Sequence, residues 1–191
     1  GEGRRAWPPS ARPAITGAVL ARPSDLIPGV THLALSRHQD DRGFFMETFR
    51  ASWFPRSSYV QANLSQSSQG VLRGLHYHLR QEDLWMIPSG RAFVALADLR
   101  GGSDAHLAVE TFELEGPQAV HIPVGVAHGF YAHTELLMSY LVTSYYDGSD
   151  ELGVAWDDPQ LAVPWPAGEP LLSGRDRGNP RWAEVPAERR P

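Results

Sequence analysis

The sequence predicts an all-β domain, a double-sheet jelly roll or double-stranded β-helix with short peripheral helices, on three observations. Segments rich in β-branched and aromatic residues recur with local alternation. Turn signals separate them about every 10 residues. Hardly a stretch shows the helical period, which leaves an antiparallel sandwich or barrel.

In chain order, "THLALSRH" and "GFFMETFR" are joined by "DDRG", and "SYVQANLSQS" precedes the turn "SQG". "LWMIPSGRAFVALADLR" breaks at "PSG", and "LAVETFELEG" follows "RGGSD". "QAVHIPVGVAHGFYAH", "LLMSYLVTSYYD" and "ELGVAWDDP" complete the set, with "EGPQ" and "DGSD" as further turns. Helical signal is confined to "RASWFP" near residue 50 and the region after "LLSGRD". Residues 1–24, rich in Pro, Arg and Ala, read as a flexible extension, 25–180 as one domain and 181–191 as a tail.

A chain of 191 residues with 42% hydrophobic content supports one core. The formal charge of -5, without a basic run longer than a pair, gives no footprint for nucleic acid or an anionic membrane, so the expected partner is a small molecule. Without cysteine there is neither disulfide nor thiolate chemistry. No apolar run reaches the length of a membrane span and no signal-peptide pattern opens the sequence, so the expected address is cytoplasmic. All 17 basic residues are arginine, so no step can use a lysine.

Two short patterns carry chemistry. Gly70, His76, His78, Asp83 and Gly90 fall on the spacing of the first cupin motif, with Asp where Glu is usual, and Pro123, Gly125 and His128 fall on the second. Side chains two apart share a strand face, so His76 and His78 can both point inward, with His128 opposite on a returning strand. Three imidazoles and a carboxylate, His76, His78, Asp83 and His128, would suit a transition metal; equally, the histidines could hydrogen-bond within the core.

A wider resemblance covers roughly residues 25–180. "DDRGFFMETF", "YVQANLSQSSQGVLRGLHY", "IPVGVAHGF", "TSYYDGSDELGVAWDDP" and "WPAGEPLLSGRD" resemble, in order and spacing, the dTDP-4-dehydrorhamnose 3,5-epimerase family of deoxysugar biosynthesis. The resemblance implies a homodimer, with Arg42, Phe45 and Glu47 contacting nucleotide across the subunit boundary, Gln61 and Asn63 also on the nucleotide, and Arg73 on the diphosphate. It makes His76 the general base, Asp176 the acid that orients it, His128 a second active-site histidine, and Tyr146 the acid on the opposite face of the sugar. No cofactor is implied.

The implied chemistry needs such a set. A 4-keto group acidifies the hydrogens on C3 and C5; a neutral histidine held by a carboxylate at Nδ1 removes one, and an acid on the other face returns a proton with inversion. The enolate oxygen also needs stabilising, and the family uses a lysine there. Counting back from Gly90, its place here holds Asp83, whose charge would repel an enolate. Three expectations follow: Arg80 swings in as the cation, a metal on the His/His/Asp/His set acts as the electrophile, or the standard double epimerisation is not performed. Two other readings use the same scaffold, a metal-dependent oxygenase or isomerase, and a sugar-nucleotide binding protein without catalysis. Tyr145 and Tyr146 are adjacent, so a strand could present only one of them inward, and Trp85, Trp156 and Trp165 are read as core or rim.

Overall fold

The computed structural model describes residues 14–16, 19–166 and 168–191. In chain order its strands are β1 (Ala14–Thr16), β2 (Val19–Pro23), β3 (Thr31–Leu35), β4 (Arg37–Asp40), β5 (Gly43–Met46), β6 (Gln61–Ser67) and β7 (Leu72–Tyr77). These are followed by β8 (Asp83–Ser89), β9 (Arg91–Asp98), β10 (Val109–Glu115), β11 (Gln118–Ile122), β12 (Val126–Ala132), β13 (Leu136–Val142) and β14 (Leu152–Gly153). One α-helix, α1 (Gly174–Gly178), and short 3-10 turns such as Ala51–Trp53 and Trp182–Glu184 lie around them.

The strands form a seven-stranded sheet in the order β1-β2-β3-β11-β8-β13-β6 and a five-stranded sheet in the order β10-β9-β12-β7-β14. Within these two sheets every pairing of the described strands is antiparallel; outside them Val71 and Leu171 form an isolated parallel bridge. Strand alternation sorts the core. Trp85 and Ile87 on β8 meet Val94, Leu96 and Phe130 from the other sheet in a central cluster, while Leu84 and Met86, one position out of phase, pack under Phe49, Trp53 and Phe54. The expected jelly roll is thus present, and each sheet is covered on its outer face as well.

Two departures from expectation share one cause. Part of the expected extension, Val19–Pro23, pairs along β3 and widens the large sheet, while residues 1–13, 17 and 18 lie outside the described residues. The expected tail is docked: Trp182 and Val185 are buried on the outer face of the small sheet with Leu75, Tyr77 and Ala127, and the Tyr77 hydroxyl donates to the Arg189 carbonyl at 2.9 Å. Composition rich in Pro and Arg conceals these contacts, because a single large apolar side chain is enough to anchor a short segment.

One irregularity positions the chemistry. Between β7 and β12 the register runs His76↔His128 and then Arg73↔Phe130, so Gly74 and Leu75 oppose the single residue Gly129. This bulge adds one residue and restores phase, so that Arg73 and His76, three apart and otherwise on opposite faces, both face inward. Gly74 has φ +127°, and a Cβ there would lie 2.6 Å from the Gly129 Cα and 2.9 Å from the His128 carbonyl oxygen. Because that clash is with backbone, Gly74→Ala is expected to cost on the order of 3 kcal/mol. Denaturant unfolding of the variant measures it; a loss within error would mean that the bulge relaxes freely.

Candidate active site

The interior is polar where β6, at the edge of the large sheet, faces β7. Gln61, Asn63, Ser65 and Ser67 alternate with outward residues along β6, and the Gln61 side-chain Nε2 donates to Asn63 Oδ1 at 2.9 Å. Arg73 reaches across from β7, its Nε donating to Ser67 Oγ at 3.0 Å and its Nη2 to the Gln66 carbonyl at 3.1 Å. The expected nucleotide and diphosphate residues Gln61, Asn63 and Arg73 therefore line one cleft.

His76 stands beside them, its Nε2 2.6 Å from Asp176 Oδ1. A carboxylate only accepts, so Nε2 carries the proton and Nδ1 keeps its lone pair. The sequence reading had the two ring nitrogens the other way round. Asp176 is fixed in turn: Ser173 caps α1, accepting the Asp176 N–H at 3.0 Å, and its hydroxyl donates to Asp176 Oδ2 at 2.9 Å. Burial pushes the Asp176 carboxyl up, but the hydrogen bond and charge of His76, with Ser173 and Arg175, outweigh this and hold it below its ordinary 3.8. A carboxyl depressed by folding contributes stability that is present above its unfolded value and is lost as pH falls through its folded one. Asp176→Asn is therefore expected to flatten the acid limb of the stability curve below about pH 4. Thermal midpoints against pH test this; an unchanged slope would sink it.

His78, Asp83 and His128 form a second group, all buried, with one donor atom from each lying within 4.8 Å of the others. Of the four residues suggested as a metal set, only these three converge, because His76 is turned to Asp176. His78 Nδ1 donates to the Asp150 carbonyl at 2.7 Å and His128 Nδ1 to the Val126 carbonyl at 3.1 Å. Burial pushes His128 down to about 4, against the opposing charge of Asp83, so its ring is neutral near pH 7. Asp83 accepts from Gln81 Nε2 at 2.9 Å and Trp85 Nε1 at 3.0 Å.

Other expectations fare differently. Arg80 is not poised over the cleft: its guanidinium bonds Asp147 at 2.7 Å on the surface. Its backbone N–H, with that of Leu79, donates to the buried Asp150 carboxylate. Arg42, Phe45 and Glu47 sit on or just after the separate β4–β5 hairpin, Arg42 paired with Asp40, Glu47 with Arg50, and Phe45 70% exposed. Among the described residues no hydrogen bond or ion pair ties these three to the His76 group. Tyr145 and Tyr146 lie in a loop beyond β13, both exposed, Tyr146 at 74%, so strand alternation does not choose between them.

Sequence reasoning missed two residues. Tyr140 lies on β13 between Asn63 and Trp85 and packs against the central cluster, so its phenol points inward from the sheet facing His76. Burial raises its pKa, as do the charges of Asp83 and Glu151, against Arg73; the phenol keeps its proton. The signal was the period of two in "LLMSYLV", which puts Met138 and Tyr140 on one face. Asp150, within the turn "DGSD", organises the loop before Asp83.

Comparison with known proteins completes the picture. The profile of the dTDP-4-dehydrorhamnose 3,5-epimerase family matches residues 25–184. A dTDP-4-dehydrorhamnose 3,5-epimerase of Neisseria gonorrhoeae is 38% identical over 169 residues, 83% of this chain; the chain spans about half of that relative, 52% of its length. The spore coat polysaccharide biosynthesis protein SpsL of Bacillus subtilis is also 38% identical, over 73% of this chain and 97% of its own length. A crystal structure of a dTDP-6-deoxy-D-glucose-3,5-epimerase from Legionella pneumophila, in complex with dTDP-4-keto-L-rhamnose, superposes with a TM-score of 0.85 at 33% identity. That match covers 91% of this chain and 97% of the other.

Proposed function

The chain belongs to the dTDP-4-dehydrorhamnose 3,5-epimerase family, and from that premise we propose that it epimerises a dTDP-linked 4-keto-6-deoxyhexose next to the ketone, at C3, C5 or both. The observation that carries the proposal is the His76–Asp176 pair at 2.6 Å, set in the cleft lined by Gln61, Asn63 and Arg73. In this reading Arg73 holds the diphosphate through its planar fork, and Gln61 and Asn63 meet the nucleotide. Arg42, Phe45 and Glu47 meet nucleotide from a second subunit. The exposed apolar side chains Phe44, Phe45, Val60 and Leu64 support a homodimer; light scattering that returns a monomer would remove that part.

The chemistry follows from the two walls. His76 Nδ1 takes the carbon-bound hydrogen as a proton, the C–H pair becomes the enolate double bond, and Asp176 stabilises the imidazolium. Inversion requires the returning proton to arrive from the other face, which is where Tyr140 stands, on the opposite sheet. Tyr146, the tyrosine expected from the resemblance, whose backbone N–H donates to Gln61 Oε1 at 3.3 Å, is the competing donor, and we assign the acid to Tyr140 because its half-buried side chain packs on the inner cluster of the sheet opposite His76. The whole cycle is proton transfer and needs no redox partner.

Proton NMR of dTDP-4-keto-6-deoxyglucose with the protein in deuterated water tests the reading. Loss of signal at C3 or C5 is the expected result, and the positions lost identify the product. A substrate that binds with no exchange at either carbon would make the protein a binder rather than an enzyme.

A further inference from the structure

We propose that His78, Asp83 and His128 bind one divalent first-row transition cation on the inner wall of the cleft, and that this cation supplies the positive charge that the chain, without lysine, has no ammonium to provide. The site rests on ligand geometry alone; its use as an electrophile rests on the epimerase reading.

Both imidazoles commit their Nδ1–H to main-chain carbonyls, of Asp150 and Val126, so each presents the Nε2 lone pair. These nitrogens face Asp83 at 4.0 and 3.9 Å, too far for hydrogen bonds. Three electron-pair donors thus converge in a buried place, an unfavourable arrangement that a positive charge relieves. The Gln81 amide partly relieves it, its Nε2 lying 2.9 Å from Asp83 Oδ1 and 3.2 Å from His78 Nε2. Among the described residues no donor reaches His128 Nε2 within hydrogen-bond distance.

The surroundings match those of a ligand set. A ring N–H held by a carbonyl and a carboxylate held by Trp85 Nε1 are the outer contacts that orient metal-binding His and Asp. Donors on one cation about 2.1 Å away lie roughly 3–3.5 Å apart at octahedral or tetrahedral angles, so the observed separations, which reach no more than 4.8 Å, close by about 1 Å once the Gln81 amide swings aside. Two imidazoles and one carboxylate select zinc, iron, cobalt or manganese over magnesium and calcium, and leave positions open to substrate oxygen.

The place also fits the reaction. His76 pairs with His128 across β7 and β12 yet is engaged by Asp176, so it remains a base and is no ligand. When a proton moves from carbon to His76, the carbonyl π pair moves onto oxygen. A cation held by His78, Asp83 and His128 would balance that charge, and reprotonation of carbon restores the ketone.

The test is Co2+ titration of the full chain after chelator treatment and desalting, read by calorimetry and by the visible d–d spectrum. One equivalent binding at about 1 μM or tighter is expected. Asp83→Asn and His128→Gln, with folding checked by circular dichroism, should each weaken binding by about 100-fold or more, whereas His76→Ala should stay within about twofold. No saturable binding of Co2+ or Zn2+ up to about 1 mM, or variants that bind as well as the parent, overturns the site. Substrate hydrogen exchange is followed in parallel. Exchange lost on chelation and restored by Zn2+ supports the electrophile, exchange unchanged by metal removal overturns that role, and metal bound with no exchange in any sample overturns the epimerase reading alone.

Discussion

Replacing His76 by alanine is expected to lower hydrogen exchange at the substrate carbons by about 10²–10⁴-fold, the range for loss of a general base, with dTDP binding nearly unchanged. The two readouts separate because of how the cleft is built. His76 meets Asp176 at 2.6 Å through Nε2 and offers only Nδ1 to the sugar. The groups assigned to the nucleotide and diphosphate, Gln61, Asn63 and Arg73, have hydrogen bonds of their own that do not involve His76. Isothermal titration with dTDP and NMR exchange in deuterated water measure both quantities on one sample. Intact exchange in His76→Ala would refute the assignment of the base, and lost dTDP binding would mean that the substitution had disturbed the bulge at Gly74.

Tyr140→Phe is expected to lower inverted product by about 10²–10⁴-fold while exchange at the same carbon falls much less. His76 can still remove a proton and return a deuteron to the face it came from; inversion needs a donor on the other wall, and the half-buried phenol of Tyr140 stands there. Tyr146→Phe is expected to change the ratio of inversion to exchange by no more than about twofold, since that side chain is 74% exposed in a loop. Equal effects of the two substitutions, or a larger one at Tyr146, would return the acid to the loop tyrosine.

Much of this site was legible along the sequence because its parts lie on strands, where the period of two is a strong constraint. His76, His78 and Asp83 are close in sequence, and the inward direction of the histidines, with His128, followed from alternation and from the spacing of the glycines. The resemblance then connected Asp176, 100 residues from His76. What misled was local. Tyr145 and Tyr146 were read as a strand continuing from β13, which ends at Val142; Tyr140, three positions before Thr143, was passed over although its parity matched Met138. The tail was read from composition, and Trp182 and Val185 were outweighed by their polar neighbours.

The sequence by itself determined the all-β class, the inward-facing histidines, the absence of lysine and the carboxylate that stands in its place. These follow from residue identity and short-range periodicity, which survive without knowledge of what packs on what. Only the tertiary structure decided that His76 pairs with Asp176 through Nε2, that His78 and His128 instead join Asp83, and that Arg80 is held by Asp147 on the surface. Each of those outcomes depends on strand register and on the bulge opposite Gly129. A shift of one residue exchanges the faces of a strand, so they are settled by the pairing of distant segments.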